Sequence, residues 1–225
     1  MLNSLALAVA LDALDESVAA GVKFVGINTL TTAPPTDTTP GVTATAASTE
    51  ATGGSPAYAR LAVVWGATAA GVKANTGALA FDLPAGTYGF FTWWNTATLN
   101  SGTQYLGYAP FGGASPKKGF ATVDSADVTA NTLTSSGHGL VNTDRVIFYN
   151  VVSETIPAGI TEGGAYFVVG SATDTFQIAL TSGGGAVDLT GQGEVYWEKV
   201  VPEVFASQGQ VTAAIGALTL DGTVI

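Results

Sequence analysis

Apolar and polar residues alternate at a period of two over much of the chain, which predicts a mostly β protein. Gly, Asn and Pro turns separate the apolar runs at hairpin spacing. In the first half, strands are expected at 22–30, 58–66, 77–83, 86–96 and 104–110. Shorter strands are expected at 146–149, 165–169, 175–180 and 195–197, and a final strand at 209–220.

The first 21 residues follow a helical period instead. Apolar residues recur at spacings of four, three and four on one stripe, namely Leu7, Leu11, Leu14 and Val18. Asn3 or Ser4 can cap this N-terminal helix, and Gly21 can end it. Acidic residues interrupt the segment and its start lacks cations, so neither a signal peptide nor a membrane span is predicted. The predicted helix is expected either to pack on its own sheet or to dock on a neighbouring subunit.

A Pro- and Thr-rich segment at 31–48 is long for a connection inside a compact domain. It is expected to be either mobile or laid along a partner.

The aromatic residues of the predicted strands are concentrated around Trp93 and Trp94. Neighbours on a strand point to opposite faces, so both faces should be covered. We therefore predict an antiparallel β-sandwich with a subunit interface or second layer outside it, the alternative being a carbohydrate-binding platform.

The run EATGGSPAYARLAVVWGA joins a Gly-Gly-Ser-Pro turn to an alternating segment. Strict alternation would place Leu61, Val63 and Trp65 on one face and Tyr58, Arg60 and Val64 on the other. The run resembles the GG-x-x-Y-x-R signature of minor tail proteins from phages that infect actinobacteria. The residues that carry the resemblance are Gly53, Gly54, Tyr58, Arg60 and Trp65, joined more loosely by Trp93 and Trp94.

Arg60 lies in an otherwise apolar segment, where a buried guanidinium needs a carboxylate or several carbonyls as partners. One hypothesis is a structural ion pair with Asp82. The other is a contact to a neighbouring subunit.

A second module begins near Thr122. Its pieces HGLVNTDRVIF, IPAGITEGGAYFVV, DTFQIAL and GGGAVDLT resemble a small β-module inserted in or appended to phage structural proteins. Because the last strand is too short to be a domain, we expect it to pair back into the first sheet. The predicted domains are a base β-sandwich at 1–119 and 200–225 with the N-terminal helix, and an inserted β-module at 120–199. The segments PFGGASPKKG and VVPEVF would be the paired hinge strands.

The charge and cysteine content limit the classes of function that the chain can have. Only 11% of the residues are charged, against roughly 25% in ordinary domains, so much of the surface is expected to be covered by other subunits. The net charge is −10, and the only adjacent basic pair is Lys117 and Lys118, which argues against nucleic-acid binding. There is no cysteine, so disulfides and thiolate metal sites are excluded.

Motifs for catalysis are weak. His138, the only histidine, lies in the Gly-punctuated segment SSGHGLVNTD, which lacks a nucleophile elbow and predicts a hairpin turn. The glycines at 183–185 are not followed by the Lys-Ser or Lys-Thr of a phosphate-binding loop. Asp124 and Asp127 could hold calcium but lack its regular ligand spacing, so they are interpreted as surface acids. We therefore expect no enzyme, catalytic residue, cofactor or metal.

The resemblance implies a virion structural protein, a minor tail or tail-fibre component that is assembled in the host cytoplasm. Its expected partners are copies of itself, in a homotrimer, and other phage tail or capsid proteins, with contact to the host cell surface as a sub-case. Binding to nucleic acid and insertion into a membrane are not expected. The alternative is a head decoration protein that stabilises the capsid lattice, and a more distant one is a host-surface carbohydrate-binding module.

Overall fold

The computed structural model describes residues 21–30, 49–99, 105–112, 117–151 and 154–221. The prediction of a mostly β chain is confirmed, with 45% strand and 4% helix. The predicted N-terminal helix and the segment 31–48 lie outside the described residues. The described residues form two compact units. The base unit contains 21–29, 49–99, 105–109 and 203–221, and the barrel unit contains 30, 110–112, 117–151 and 154–202.

The main sheet of the base unit is antiparallel and has five strands. Its strands are β1 (Phe24–Thr29), β2 (Leu61–Ala62), β5 (Gly86–Trp94), β6 (Tyr105–Pro110) and β13 (Glu203–Phe205). The order is β13-β5-β1-β2, with β6 also paired to β5. Strand β5 pairs with β13, β6 and β1, and β1 lies between β5 and β2. β1 pairs with β5 from Phe24 opposite Trp94 to Thr29 opposite Tyr88, with a register shift after Asn28.

Two further strand pairs complete the base unit. β4 (Leu79–Leu83) pairs with β14 (Gly209–Ala213), and β3 (Val72–Ala74) pairs with β15 (Thr219–Asp221). The expectation of one continuous strand at 209–220 is therefore wrong. The chain turns between β14 and β15, because Asn75 binds the backbone of Ala214, Gly216 and Leu218.

The barrel unit is a closed six-stranded barrel with the order β10-β11-β8-β7-β12-β9. Its elements are β7 (Lys118–Val123), α1 (Ser125–Ala130), β8 (Leu133–Thr134), β9 (Arg145–Asn150), β10 (Ala165–Val169), β11 (Thr175–Ala179) and β12 (Gly193–Val200). Inward residues alternate along each strand and fill the interior, including Phe148, Phe176 and Trp197. The Val201 amide donates to the Phe111 carbonyl at 2.6 Å, which joins the two segments predicted as hinge strands, and the Lys199 amide, just before the second segment, donates to the Lys117 carbonyl at 2.8 Å.

The aromatic residues of β5 are covered within the base unit itself. On one face Phe91 contacts Phe81 and Trp93 contacts Trp65, with ring centroids 6.3 and 6.1 Å apart. On the other face Phe90 contacts Tyr108 and Trp94 contacts Tyr105, at 5.6 and 5.2 Å. On each face, aromatic side chains of β5 therefore pack against other side chains of the base unit, with Phe91, Tyr105 and Tyr108 half-buried.

Candidate functional site

The Gly-Gly turn of the motif is exposed and tightly wound. Gly53 and Gly54 have φ angles of +83° and +91°, in the region that favours glycine. The Tyr58 amide donates to the Gly53 carbonyl at 2.8 Å, which closes the turn. The Gln208 side-chain oxygen accepts from the Ser55 amide at 3.1 Å, so the chain near β14 supports the turn.

Beyond the turn, the chain buries an ion pair. The Arg60 guanidinium makes two parallel hydrogen bonds to the Glu50 carboxylate, Nε to Oε1 and Nη2 to Oε2, each 2.7 Å long. Neither side chain is exposed to solvent. The structural ion-pair hypothesis named the wrong acid, because Asp82 instead accepts from the Gln210 side chain at 3.2 Å. Glu50 reaches Arg60 because a β-bridge places it beside Asn28 of strand β1.

Two further groups hold the guanidinium. Its carbon lies 3.4 Å from the centroid of the Trp94 ring, a close cation–π contact. Its Nη1 donates to the Thr96 carbonyl at 3.0 Å. All parts of the Arg60 head group are therefore engaged inside the base unit, as a buried guanidinium requires.

Tyr58 joins the same cluster through its hydroxyl. The hydroxyl donates to Glu50 Oε1 at 3.1 Å and accepts from the Ile27 amide at 2.7 Å. Burial raises the pKa of this phenol well above its ordinary value of 10, and the Glu50 carboxylate adds to the shift. Tyr58 thus stays protonated and ties the ion pair to strand β1.

A chain of buried polar groups extends from Trp94 across the sheet. Trp94 Nε1 donates to the Thr92 hydroxyl at 2.8 Å, which donates to the Asn28 side chain at 2.9 Å. Gly26 makes room for this cluster. A Cβ at this position would lie 2.7 Å from Glu50 Oε1 and 2.9 Å from both Thr92 Oγ1 and Trp94 Nε1.

The structure divides the seven motif residues into three groups. Tyr58, Arg60 and Trp94 meet at Glu50, and we call these four residues the Glu50 cluster. Trp65 packs edge-on against Trp93, and its indole donates to the Val22 carbonyl at 3.0 Å. The third group is the exposed Gly53 and Gly54 of the entry turn.

Strict alternation fails between Arg60 and Val63. Tyr58, Arg60, Val63 and Trp65 are all buried, whereas Val64 is 56% exposed. Only Leu61–Ala62 is strand, paired with Phe24 and Val25. The predicted assignment of Tyr58, Arg60 and Val64 to one face is therefore wrong, because the short strand changes the phase of the alternation.

In the barrel unit, a cavity of about 450 Å³ opens beside Lys117, Lys118, Ser135, His138 and Trp197. His138 Nδ1 accepts from the Leu140 amide at 3.0 Å, and Nε2 lies 3.3 Å from the Thr175 carbonyl, to which it donates. The Ser135 hydroxyl donates to the Phe120 carbonyl at 2.6 Å and accepts from Trp197 Nε1 at 3.1 Å. These groups are used in holding the barrel strands together.

The two aspartates of the barrel unit form a capping box. Asp124 accepts from the amides of Ala126 and Asp127, and the Asp127 carboxylate accepts from the Asp124 amide. Asp127 also accepts from the hydroxyls of Thr132 and Thr134. The interpretation as incidental surface acids was wrong, since these carboxylates start α1 and fasten it to β8. In the part of the chain that the structure describes, no group of three or more potential metal ligands occurs.

Comparisons with protein-family models, with curated proteins and with solved structures found no match. Among the described residues, no helix is long and apolar enough to cross a membrane. The Glu50 cluster is therefore characterised by its geometry alone. It joins β1, β5 and the chain before β2 through groups that solvent does not reach, which suits a structural cross-link.

Proposed function

We propose that this protein is a structural component of a bacteriophage virion, a minor tail or tail-fibre protein that assembles with itself and with neighbouring virion proteins. The proposal rests on the structural role of the tyrosine and arginine of the GG-x-x-Y-x-R signature. Its tyrosine and arginine form a buried cross-link around Glu50, with Arg60 and Glu50 side chains at 0% exposure. Because both charged side chains are buried and paired with each other, the signature supports a scaffold role better than a ligand site.

Further support comes from the surface. The base unit displays large apolar side chains, including Val64, Val204 and Ile215 at 56 to 69% exposure, which contacts with other subunits would cover. The proposal includes a homotrimer, a β-sandwich arrangement of the base domain with an N-terminal helix, and the domain limits given by the sequence. It assigns no enzymatic activity.

The experiment is electron microscopy of phage particles whose copy of this protein carries an epitope tag. The turn at 182–185 suits the insertion, because Gly183 has a φ of +68° and a Cβ there would have nothing within 4 Å. Gold-labelled antibody should mark the tail. Label on the head would instead support the decoration protein, and particles without label would contradict both.

A further inference from the structure

The cavity of the barrel unit lies where two strands of the barrel separate. β7 and β8 pair only between Thr122 and Thr134. Beyond this pair, the segments 117–120 and 135–139 line the cavity of about 450 Å³. Gly119 keeps its floor open, because a Cβ there would lie 3.2 Å from the Trp197 ring. The cavity is therefore a gap in the barrel wall with a buried tryptophan behind it.

The only adjacent basic pair of the chain, Lys117 and Lys118, lines this cavity. Lys117 Nζ donates to the Gly139 carbonyl, which holds this ammonium group at the cavity wall. Neither lysine forms an ion pair with a residue that the structure describes. Among the described residues, no acidic side chain lines the cavity. Two positive charges thus share one cavity in a chain whose net charge is −10.

The carboxylates of the neighbouring elements are held by other groups. Glu198 lies opposite Lys118 in the register of β7 and β12, but it accepts from two tyrosine hydroxyls at 3.3 and 3.4 Å. Asp174 accepts from the Ser136 hydroxyl at 3.2 Å and from the Gly137 amide at 2.8 Å. A cleft lined by charges of one sign attracts ions of the opposite sign. The lysine pair therefore favours an anionic ligand.

We propose that this cavity binds the phosphate group of an organic phosphate monoester. Two ammonium groups match the charge of about −1.5 to −2 that a phosphate monoester carries at neutral pH, and lysine binds phosphate as a point charge. The volume of about 450 Å³ falls within the roughly 300 to 1,000 Å³ of small-molecule sites. Phe120 also lines the cavity and is 55% exposed, so its ring offers an apolar face to the organic part of the ligand. The inference goes beyond the proposed virion role and does not depend on it.

Isothermal titration calorimetry of the full chain with glucose 6-phosphate, inorganic phosphate and glucose tests the assignment. Glucose 6-phosphate should bind more tightly than inorganic phosphate, and glucose should not bind. Lys118→Ala should weaken the binding of glucose 6-phosphate by about tenfold, whereas Lys118→Arg keeps the charge and should stay within about threefold of the wild type. The matched control is Lys199→Ala, which removes a lysine of the same unit that pairs with Asp144 at 2.7 Å and does not line the cavity. This control should bind like the wild type.

Lys118 is exposed, so its variants should fold, and circular dichroism checks this. Absence of binding by the wild type at about 10 mM glucose 6-phosphate would overturn the inference. Unchanged affinity in the double variant Lys117→Ala with Lys118→Ala would overturn it as well. Equal affinity for inorganic phosphate would contradict an organic ligand, and equal affinity for glucose would contradict the role of charge.

Discussion

Replacement of Arg60 by alanine is the most direct perturbation of the Glu50 cluster. The change removes both hydrogen bonds to Glu50 and leaves a carboxylate with no solvent exposure beside the Tyr58 hydroxyl. Breaking a buried ion pair from one side costs about 3 to 5 kcal/mol, because the remaining charge is uncompensated. The loss of the cation–π contact between Arg60 and Trp94 is already included in this cost, because the free-energy contributions of side chains in contact are not additive. A loss of this size is a large fraction of the roughly 5 to 15 kcal/mol that stabilises a typical domain.

Urea unfolding followed by tryptophan fluorescence measures this loss. Trp65, Trp93 and Trp94 belong to the base unit, so the signal reports chiefly on the part that contains the cluster. With a slope of about 2 kcal/mol per molar urea, the midpoint should fall by about 1.5 to 2.5 M. The control is Gln210→Ala in the same unit, which removes an exposed 3.2 Å hydrogen bond to Asp82. That variant should lose about 1 kcal/mol or less.

The double variant Glu50→Leu with Arg60→Met separates a buried charge from a general loss of packing. It replaces both charges with apolar groups, so it should be less destabilised than Arg60→Ala. An Arg60→Ala protein within about 1 kcal/mol of the wild type would refute the cross-link reasoning. If that variant also folded and assembled normally but lost a small ligand, the motif would be a binding site.

The remaining predictions concern other residues of the Glu50 cluster and its surroundings, and the barrel unit. Tyr58→Phe should lose about 1 to 3 kcal/mol at neutral pH by urea unfolding, because the Ile27 amide loses its acceptor. The raised pKa of Tyr58 means that the folded state holds its proton more tightly, so wild-type stability should fall as pH rises above about 10, and less steeply in Tyr58→Phe. Gly26→Ala should cost about 1 to 3 kcal/mol through overlap with the Glu50 cluster, and a wild-type melting curve would contradict this. Asp124→Ala should cost about 0.5 to 2 kcal/mol through loss of the helix cap, visible as a lower melting temperature. Deletion of 120–199 with the flanks joined should leave cooperative unfolding by tryptophan fluorescence, whereas a non-cooperative transition would contradict the insertion topology.

Strand positions were predictable where local pattern and tertiary environment agree. The expected strand at 86–96 is observed as Gly86–Trp94, and the one at 165–169 as Ala165–Val169. The expected strand at 58–66 is mostly not strand. Tertiary contacts explain this difference. The side chains of Tyr58 and Arg60 point inward to reach Glu50, and after Leu61–Ala62 the alternation is shifted by one residue, so that Val63 and Trp65 also point inward.

The partner of Arg60 could not be identified from spacing alone. Glu50 and Asp82 are both acids near the predicted sheet, and only the β-bridge between Asn28 and Glu50 decides between them. Thr92, Asn28 and Gly26 carried no separate signal in the sequence, because their roles depend on the register between β1 and β5. The capping box could have been found, since Asp124 precedes a short helical segment and Asp127 lies three residues later.

The most direct test of the virion proposal is quantitative peptide mass spectrometry of purified phage particles separated into heads and tails. The proposal predicts that peptides of this protein, such as those around Trp197, copurify with the tail fraction at a stoichiometry that is a multiple of three. Their absence from particles, with the protein found only in the soluble lysate of infected cells, would contradict a structural role in the virion.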